Sequence, residues 1–450
     1  FIMYAVHICS YINTCTQCLG KSKIRSTLQT LQLLHQVTFS LVQNKPMVTG
    51  ASTDHSTMLV FSLLLLLQPS QGINTEGCQA LGYPRSKCIV DEMAGVLEDH
   101  LEDVDEWCEA MKDFWTEDMI YDSNWTPNGD FGNSTGLEEW FYAEHIPFIH
   151  AFTNVTFTTF IWIGGEDTAS LMAYGKARWH ADLGTVPGSE HNDLEVTIWD
   201  LDFYKINNEE EAISYNWCLI DFVDLMLQVG YRVLPKPLLR EGSMLPPAAM
   251  DGIPAPISRL VSPQDTPMSL EIVSALLQED FVTGNGPSSL WADDMVWYGG
   301  AGFGMATSKN EYEDHILGPL RAGLTKRKLQ LDIVHCEGVY CGAHGYLVGQ
   351  HTGYWLGEEA THLPLRLRLA LHWRVDLEQF RAMECWAMFD LPAAFNMIGV
   401  NLFARMDEDH CIRNNSLCTR LERIKKNPIF CPKRQKNKGK KINFKDKKSY

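Results

Sequence analysis

The feature that most constrains this chain of 450 residues is an internal repeat. Residues 115–121 (Trp-Thr-Glu-Asp-Met-Ile-Tyr) return 176 positions later as residues 291–297 (Trp-Ala-Asp-Asp-Met-Val-Trp). Residues 217–221 (Trp-Cys-Leu-Ile-Asp) return 169 positions later as residues 386–390 (Trp-Ala-Met-Phe-Asp). Because the order is kept and the spacing drifts by only a few residues, the sequence predicts two homologous domains in tandem.

The repeat also sets the domain boundaries. We expect the first domain over residues 90–235 and the second over residues 268–406. Residues 236–267 are expected to form a linker, because eight prolines fall between positions 235 and 267 and few apolar positions are periodic there. A third pairing aligns Tyr142-Ala-Glu-His145 with Tyr312-Glu-Asp-His315, 170 positions later.

Each domain has a helical pattern followed by long strand patterns. An apolar stripe at helical spacing runs from Val96 to Trp115, with acidic residues on its other face, and predicts a helical N-terminal lead-in. Alternating patterns predict strands; they cover residues 155–162, 170–179, 194–206, 329–335, 339–355 and 363–375. This order predicts the α+β class, with two tandem cone-shaped domains, each a strongly curved, mostly antiparallel sheet wrapped on helices. Such cones offer apolar concavities for ligands.

Two motifs resemble the SnoaL-like polyketide cyclases, which have the nuclear transport factor two-like cone fold. One is Trp-x-x-x-Asp followed by an apolar run and Gln-x-Gly, at residues 217–230, and the other is the strand Asp-Leu-Asp-Phe-Tyr-Lys-Ile at residues 200–206. The resemblance implies a cofactor-free cyclase, isomerase or lyase that acts on a small polycarbonyl or terpenoid. It maps the acid–base carboxylate to Asp221 and Asp390, and a second polar position to Asp202, whose counterpart in domain two is Leu371.

A structural interpretation stands beside each of these candidates. An Asp that begins a helix is often an N-cap, and hydrogen bonds from backbone N–H groups lower its pKa. His145 and His315 lie on the second helical segment of each domain and are candidates for catalysis, although a histidine there is more often a packing or capping residue. The pairing of Asp202 with Asp221 makes domain one the expected working site, with domain two as scaffold.

The two ends of the chain differ from the middle. Residues 1–57 form a doubtful leader, and residues 58–72 are typical of a signal peptide because an apolar run at 59–67, interrupted only by Ser62, precedes small residues at a cleavage position. The tail over residues 420–450 has 13 basic and two acidic residues and is expected to be disordered. The predicted location is therefore outside the cell or in the lumen of the secretory pathway.

Sequons and cysteines fit that location. Asn-x-Ser/Thr tripeptides predict glycosylation sites; they begin at Asn124, Asn133, Asn154 and Asn414. Two cysteine pairs bracket short loops and predict local disulfides in an oxidising compartment; they are Cys78 with Cys88 and Cys411 with Cys418. We expect no metal and no cofactor, since no zinc-ligand spacing occurs outside the doubtful leader and no phosphate-binding loop follows a strand.

The net charge of the chain limits the kinds of partner that it is expected to bind. The formal net charge is −18, and because the tail carries +11, residues 1–419 carry −29. An acidic body argues against nucleic-acid binding by the folded part, and a run of nine residues, eight of them apolar, is too short to span a membrane. The expected partners are a small apolar molecule and either the other domain of the same chain or a second copy of it. Three classes of function stay open: a cofactor-free enzyme, a binding protein for a small apolar ligand, and a structural dimerisation module.

Overall fold

A computed structural model describes most of the two repeated domains. The described residues are 78–79, 83–97, 101–124, 133–181, 183, 194–242, 244–247, 265–284 and 286–406. The predicted leader, signal peptide and tail lie outside these ranges, as do Asn414, Cys411 and Cys418. No helix within the described ranges is long and apolar enough to cross a membrane.

The described part of domain one contains five α-helices and six strands. The helices are α1 (Arg85–Leu97), α2 (Val104–Met111), α3 (Leu137–Trp140), α4 (Ile146–Ala151) and α5 (Phe222–Gln228). A π-helical turn, Phe141–His145, joins α3 to α4. The strands are β1 (Trp115–Ser123), β2 (Asn133–Thr135), β3 (Phe152–Gly164), β4 (Thr168–Trp179), β5 (Leu194–Asn207) and β6 (Ala212–Ile220).

Domain two repeats this arrangement. Its helices are α6 (Thr266–Gln278), α7 (Lys309–Tyr312), α8 (Gly318–Gly323) and α9 (Leu391–Met397), with a π-helical turn, Glu313–Leu317, between α7 and α8. Its strands are β7 (Trp291–Gly299), β8 (Met305–Ala306), β9 (Leu324–Glu337), β10 (Tyr340–His351), β11 (Pro364–Asp376) and β12 (Arg381–Phe389). The strand orders are β2-β1-β6-β5-β4-β3 and β8-β7-β12-β11-β10-β9. In each sheet one neighbouring pair is parallel and the others are antiparallel. The expected α+β class with two domains is confirmed.

The long strands follow the predicted patterns, but the lead-in helix differs. The stripe from Val96 to Trp115 is split, because α1 ends at Leu97 and Asp103 begins α2 as its N-cap, accepting hydrogen bonds from the N–H groups of Asp105 and Glu106. Trp115 begins β1 instead of ending a helix. Large apolar residues fit a buried strand and a buried helix equally well, so the pattern could not locate this boundary.

The two sheets pack against each other through one face each. A shared apolar cluster joins Leu201, Phe203 and Trp217 of domain one to Trp386 and Met388 of domain two. The opposite face of each sheet curves over its own helices. Part of the predicted linker also packs on domain two: Arg240 accepts a hydrogen bond from Met305, and the carbonyl of Leu245 accepts one from the indole of Trp386.

One buried polar chain crosses this junction at Arg368. Its guanidinium donates to the carboxylate of Asp122 in domain one at 3.0 Å and to Nε2 of His344 at 2.8 Å. Because Nε2 accepts, the proton of the neutral ring lies on Nδ1, which is 3.0 Å from Asp332. Burial lowers the pKa of His344 to about 3, which keeps the ring neutral.

A second chain is centred on Ser170. Its Oγ lies 2.7 Å from Nε2 of His335 and 2.9 Å from Nε2 of His372, and Thr168 Oγ1 lies 3.0 Å from Nδ1 of His335. A serine hydroxyl has one proton, so it donates to one ring and accepts from the other. Burial lowers the pKa of both His335 and His372 to about 3, so both rings are neutral. The junction therefore depends on uncharged histidines.

Because these histidines are buried and neutral, we expect the domain junction to lose stability at acidic pH. A histidine whose folded pKa is depressed contributes stability that is complete above its unfolded pKa of about 6.5 and is lost as the pH falls toward about 3. His372→Phe keeps the aromatic stacking on Phe203 but cannot titrate. We expect the wild type to lose stability relative to this variant by about 1.4 kcal/mol per pH unit within that window, measured by urea unfolding. Parallel pH profiles of the two proteins would contradict the assignment.

Candidate functional site

The carboxylate of Asp221 lies at the domain junction. It is the N-cap of α5, where Oδ1 accepts a hydrogen bond from Asp224 N at 2.9 Å, and Oδ2 accepts one from Ala301 N of domain two at 2.8 Å. Burial raises its pKa to about 6, although these backbone donors oppose the rise. Both carboxylate oxygens therefore have structural roles: Oδ1 caps a helix, and Oδ2 forms a hydrogen bond between the two domains.

Asp390 occupies the same place in domain two. It is the N-cap of α9 and accepts a hydrogen bond from Ala393 N at 3.1 Å. Burial raises its pKa to about 6, and the positive charge of Arg368 opposes that rise. The capping interpretation thus describes the position of both aspartates, and their raised pKa values come from desolvation.

The two histidine candidates lie in different places. His145 Nε2 is 2.8 Å from the carbonyl of Leu101, and its ring packs against Trp107 with centroids 5.1 Å apart, so it anchors the segment that precedes α2. His315 is half-buried on the π-helical turn, one helical turn after Glu311. The structure brings neither histidine to Asp221 or Asp390.

The helix geometry also corrects the alignment of these histidines. α4 and α8 begin at Ile146 and Gly318, and each has proline as its second residue, which fixes an offset of 172 instead of 170. The counterpart of His145 is therefore Leu317, and the counterpart of its neighbour Glu144 is Ile316. The motif similarity in the sequence was two residues out of register here.

A different set of polar side chains comes together on the concave face of domain one. Asp200 and Asp202 are two residues apart on β5 and therefore share a face. Cys218 Sγ lies 3.5 Å from Asp200, and Asn216 Nδ2 donates to Asp202 at 3.0 Å. Glu144 approaches them from the π-helical turn. We call Asp200, Asp202 and Glu144 the carboxyl cluster.

The phenols of two tyrosines also belong to this environment. Tyr204, two residues beyond Asp202 on β5, is hydrogen-bonded to Asp202, and Tyr121 of β1 is hydrogen-bonded to Glu144. Burial raises the pKa of both phenols well above the usual value, so both stay protonated and can donate. The cluster thus combines acidic groups with neutral donors.

The surroundings of Asp200 and Asp202 favour different protonation states. Burial raises the pKa of Asp200 well above its usual value, and the neighbouring charge of Asp202 adds to the rise. Burial also raises the pKa of Asp202, but hydrogen bonds from Asn216 and Asp200 stabilise its carboxylate and oppose the rise. The shared proton therefore lies on Asp200, which donates to Asp202. Burial raises the pKa of Glu144 well above its usual value as well.

The carboxyl cluster is largely buried, but solvent can still reach part of it. Asp200 keeps part of its surface exposed, and Asp202 and Glu144 are each 8% exposed. In domain two the register places Leu369 and Leu371 at the positions of Asp200 and Asp202, and both are 0% exposed. Only one of the two concave faces thus combines carboxyl groups at these positions with access for solvent.

Two carboxylates and a thiol close together are also a set of side chains that could hold a metal ion. The ligand atoms of Asp200, Asp202 and Cys218 lie within 4.8 Å of one another. Burial raises the pKa of the Cys218 thiol well above its usual value, so the thiol stays protonated and is a poor ligand near neutral pH. The hydrogen bond between the two aspartates accounts for the short spacing.

The sequence contained part of this cluster. Asp202 was a candidate, and the strand pattern of residues 200–206 already placed Asp200 on its face, although Asp200 was not proposed. Glu144 was concealed by the two-residue error in the helix alignment. Asp202 and Asp221 bind different partners, so the expected pair is replaced by Asp202 with Asp200.

The described residues include two disulfides and one predicted glycosylation site whose side chain is buried. Cys78 and Cys88 are joined by a disulfide, as expected, and a second disulfide joins Cys336 to Cys341 across the β9–β10 hairpin. Asn124 is 1% exposed, and its side-chain amide both donates to and accepts from the backbone of Ile220. A side chain enclosed in this way cannot carry a glycan in the folded protein.

Comparisons with known proteins give structural neighbours alone. No protein-family model and no curated protein matches the sequence. A protein from Jannaschia sp. CCS1 assigned as a SnoaL-like polyketide cyclase is 15% identical, over 31% of this chain and 96% of its own, with a TM-score of 0.28. IdmH from Streptomyces antibioticus, assigned as a polyketide cyclase, is 14% identical over 31% and 97%, with a TM-score of 0.26.

An NTF2-like protein from Burkholderia thailandensis E264 is 20% identical, over 28% of this chain and 90% of its own, with a TM-score of 0.22. The solved structures that resemble this chain are thus SnoaL-like polyketide cyclases and NTF2-like proteins, each similar to about one domain of it. At these scores they define no chemistry for the carboxyl cluster.

The placement of Asp221 predicts a structural cost for its loss. Asp221→Ala removes an N-cap, worth about 1 kcal/mol, and leaves the buried N–H of Ala301 without an acceptor, which costs about 1–3 kcal/mol more. Asp390→Ala removes the cap and the attraction to Arg368 but leaves no backbone N–H of the other domain without an acceptor, and should cost less, about 1 kcal/mol. Urea unfolding of the two variants measures the difference. Equal losses would show that the bond to Ala301 contributes nothing.

Proposed function

We propose that the concave face of domain one is an acid–base site that acts on a hydrogen next to a carbonyl group of a small apolar molecule. The observation that carries this proposal is the placement of Asp200 and Asp202 side by side on one face of β5, with carboxylate oxygens within 4.8 Å of each other and with Asp200 partly exposed to solvent. An ionised carboxylate beside a protonated carboxyl is the combination that enolisation requires. The leucines at the same positions of domain two favour a scaffold role for that domain.

The roles follow from the protonation states. Asp202, ionised and oriented by Asn216, removes the hydrogen from the carbon, and its carboxylate gains that proton. Asp200, protonated and the more exposed of the pair, gives its proton to the carbonyl oxygen, so an enol forms with charge balanced. The enol then returns its O–H proton to Asp200 and regains a carbonyl in one of two ways. Either a conjugated carbon takes the proton held by Asp202, or the enol carbon attacks a second carbonyl, whose oxygen takes that proton as the ring closes. Isomerase and cyclase chemistry thus share one first step.

The compartment is part of the proposal. We place the protein outside the cell or in the secretory lumen, because two disulfides join described cysteines in domains one and two. A second candidate function is binding without turnover, since a buried cluster with phenol and amide donors could hold a carbonyl compound and leave it unchanged. The partial exposure of Asp200 supports both functions, and turnover distinguishes them.

Hydrogen–deuterium exchange tests the proposal without knowledge of the natural substrate. The probe is 2-decalone, an apolar bicyclic ketone, incubated with the protein in D₂O while NMR follows deuterium at the carbons next to the carbonyl. We expect the wild type to accelerate exchange, and Asp200→Asn or Asp202→Asn to reduce the acceleration by about 10²- to 10⁴-fold, the usual contribution of one acid–base group.

Asp390→Asn is the matched control, because asparagine keeps the helix cap and the residue lies outside the carboxyl cluster. It should exchange 2-decalone at the wild-type rate. Saturable binding of 2-decalone with no exchange would assign the binding function instead. Exchange that survives both Asp200→Asn and Asp202→Asn would overturn the acid–base site.

A further inference from the structure

The outer strands of the two sheets carry the same local distortion. β3 and β9 are the last strands in their sheets, and each has one extra residue relative to its neighbour near its beginning. The extra residue falls between Thr153 and Thr156 in β3, and between Thr325 and Lys328 in β9. Asn154 and Lys326 have positive φ angles of 52° and 55° at these bulges. With the offset of 172 they are equivalent positions.

Both strands need protection at this place. The first halves of β3 and β9 are largely exposed, and an exposed outer strand can pair with the strand of another molecule. Proteins prevent such pairing with bulges and with charged side chains, lysine above all. Domain two has both devices, the bulge and the exposed Lys326. Domain one has the bulge, but an uncharged asparagine stands in place of the lysine.

That asparagine begins the sequon Asn154-Val155-Thr156. Both Asn154 and Thr156 are exposed, in contrast to the enclosed Asn124 of another sequon. Asparagine is among the few residues that adopt a positive φ readily, so the bulge presents its amide on the surface at little cost. The disulfides in both domains indicate the compartment in which N-glycosylation takes place.

We propose that Asn154 carries an N-linked glycan and that this glycan protects the outer strand of domain one, as Lys326 protects the outer strand of domain two. The glycan is bulky and strongly hydrated, and it would stand beside the edge of β3 that pairs with no other described strand. The same structure excludes the sequon at Asn124 from modification in the folded protein. The inference is independent of the chemistry proposed for the carboxyl cluster.

Occupancy is tested on the full chain of 450 residues, expressed in animal cells behind an added secretory leader so that entry into the secretory pathway is assured. Peptide mass spectrometry should find a glycan on the peptide that contains Asn154, and enzymatic release should convert that residue to aspartate. Thr156→Ala should abolish the modification and Thr156→Ser should keep it. Thr126→Ala, which removes the sequon that begins at the enclosed Asn124, should leave the glycosylation unchanged. An unmodified Asn154 in chains whose Cys78–Cys88 disulfide has formed would overturn the proposal.

The protective role has its own test. Thr156→Ala, which lacks the glycan, should form several-fold more soluble aggregate than the wild type in size-exclusion chromatography. Asn154→Lys also lacks the glycan but restores the residue type of the equivalent bulge in domain two, and it should remain as monomeric as the wild type. If Thr156→Ala aggregates no more than the wild type, the glycan has no role at this strand. If Asn154→Lys aggregates as much as Thr156→Ala, a lysine does not replace the glycan there, and in either case the second half of the proposal fails.

Discussion

The structure depends on the packing of one sheet against the other. Each sheet has two faces, and only one of them can wrap around its own helices. The other face needs a partner, and here the partner is the equivalent face of the second domain. An open sheet with large aromatic side chains such as Trp217 and Trp386 would otherwise be exposed to aggregation. Tandem duplication supplies that partner at a fixed ratio within one chain.

The buried polar chains determine how the faces are matched. Apolar packing tolerates small rotations, but the bond from Arg368 to Asp122 and the two histidine bonds to Ser170 have fixed lengths and directions. A buried polar group without a partner costs about 1–3 kcal/mol, so a shifted junction would lose several such bonds at once. The requirement that the histidines be neutral makes this specificity dependent on pH.

The fold could be predicted from the sequence more completely than the candidate site. The repeat and the strand patterns were sufficient for two α+β domains, because alternation and tandem motifs report burial directly. The site was recovered in part, since Asp202 was recognised but its partner was not. Asp221 was favoured because it stands in a motif, and a motif cannot show which face its side chain occupies. Glu144 needed the helix register, which depends on a π-helical turn that no spacing rule reveals.

The two copies of the duplicated domain differ in how their concave faces hold carboxyl groups. Domain two has fully buried leucines at residues 369 and 371, and its buried Asp280 accepts hydrogen bonds from Trp291 and Tyr312. Domain one instead places three carboxyl groups close together, each of which is costly when charged. A single domain would have to combine stability and a desolvated acidic cluster in one core. Two domains that share a junction can separate these demands, because the acidic cluster occupies one concave face and leucines occupy the equivalent positions of the other.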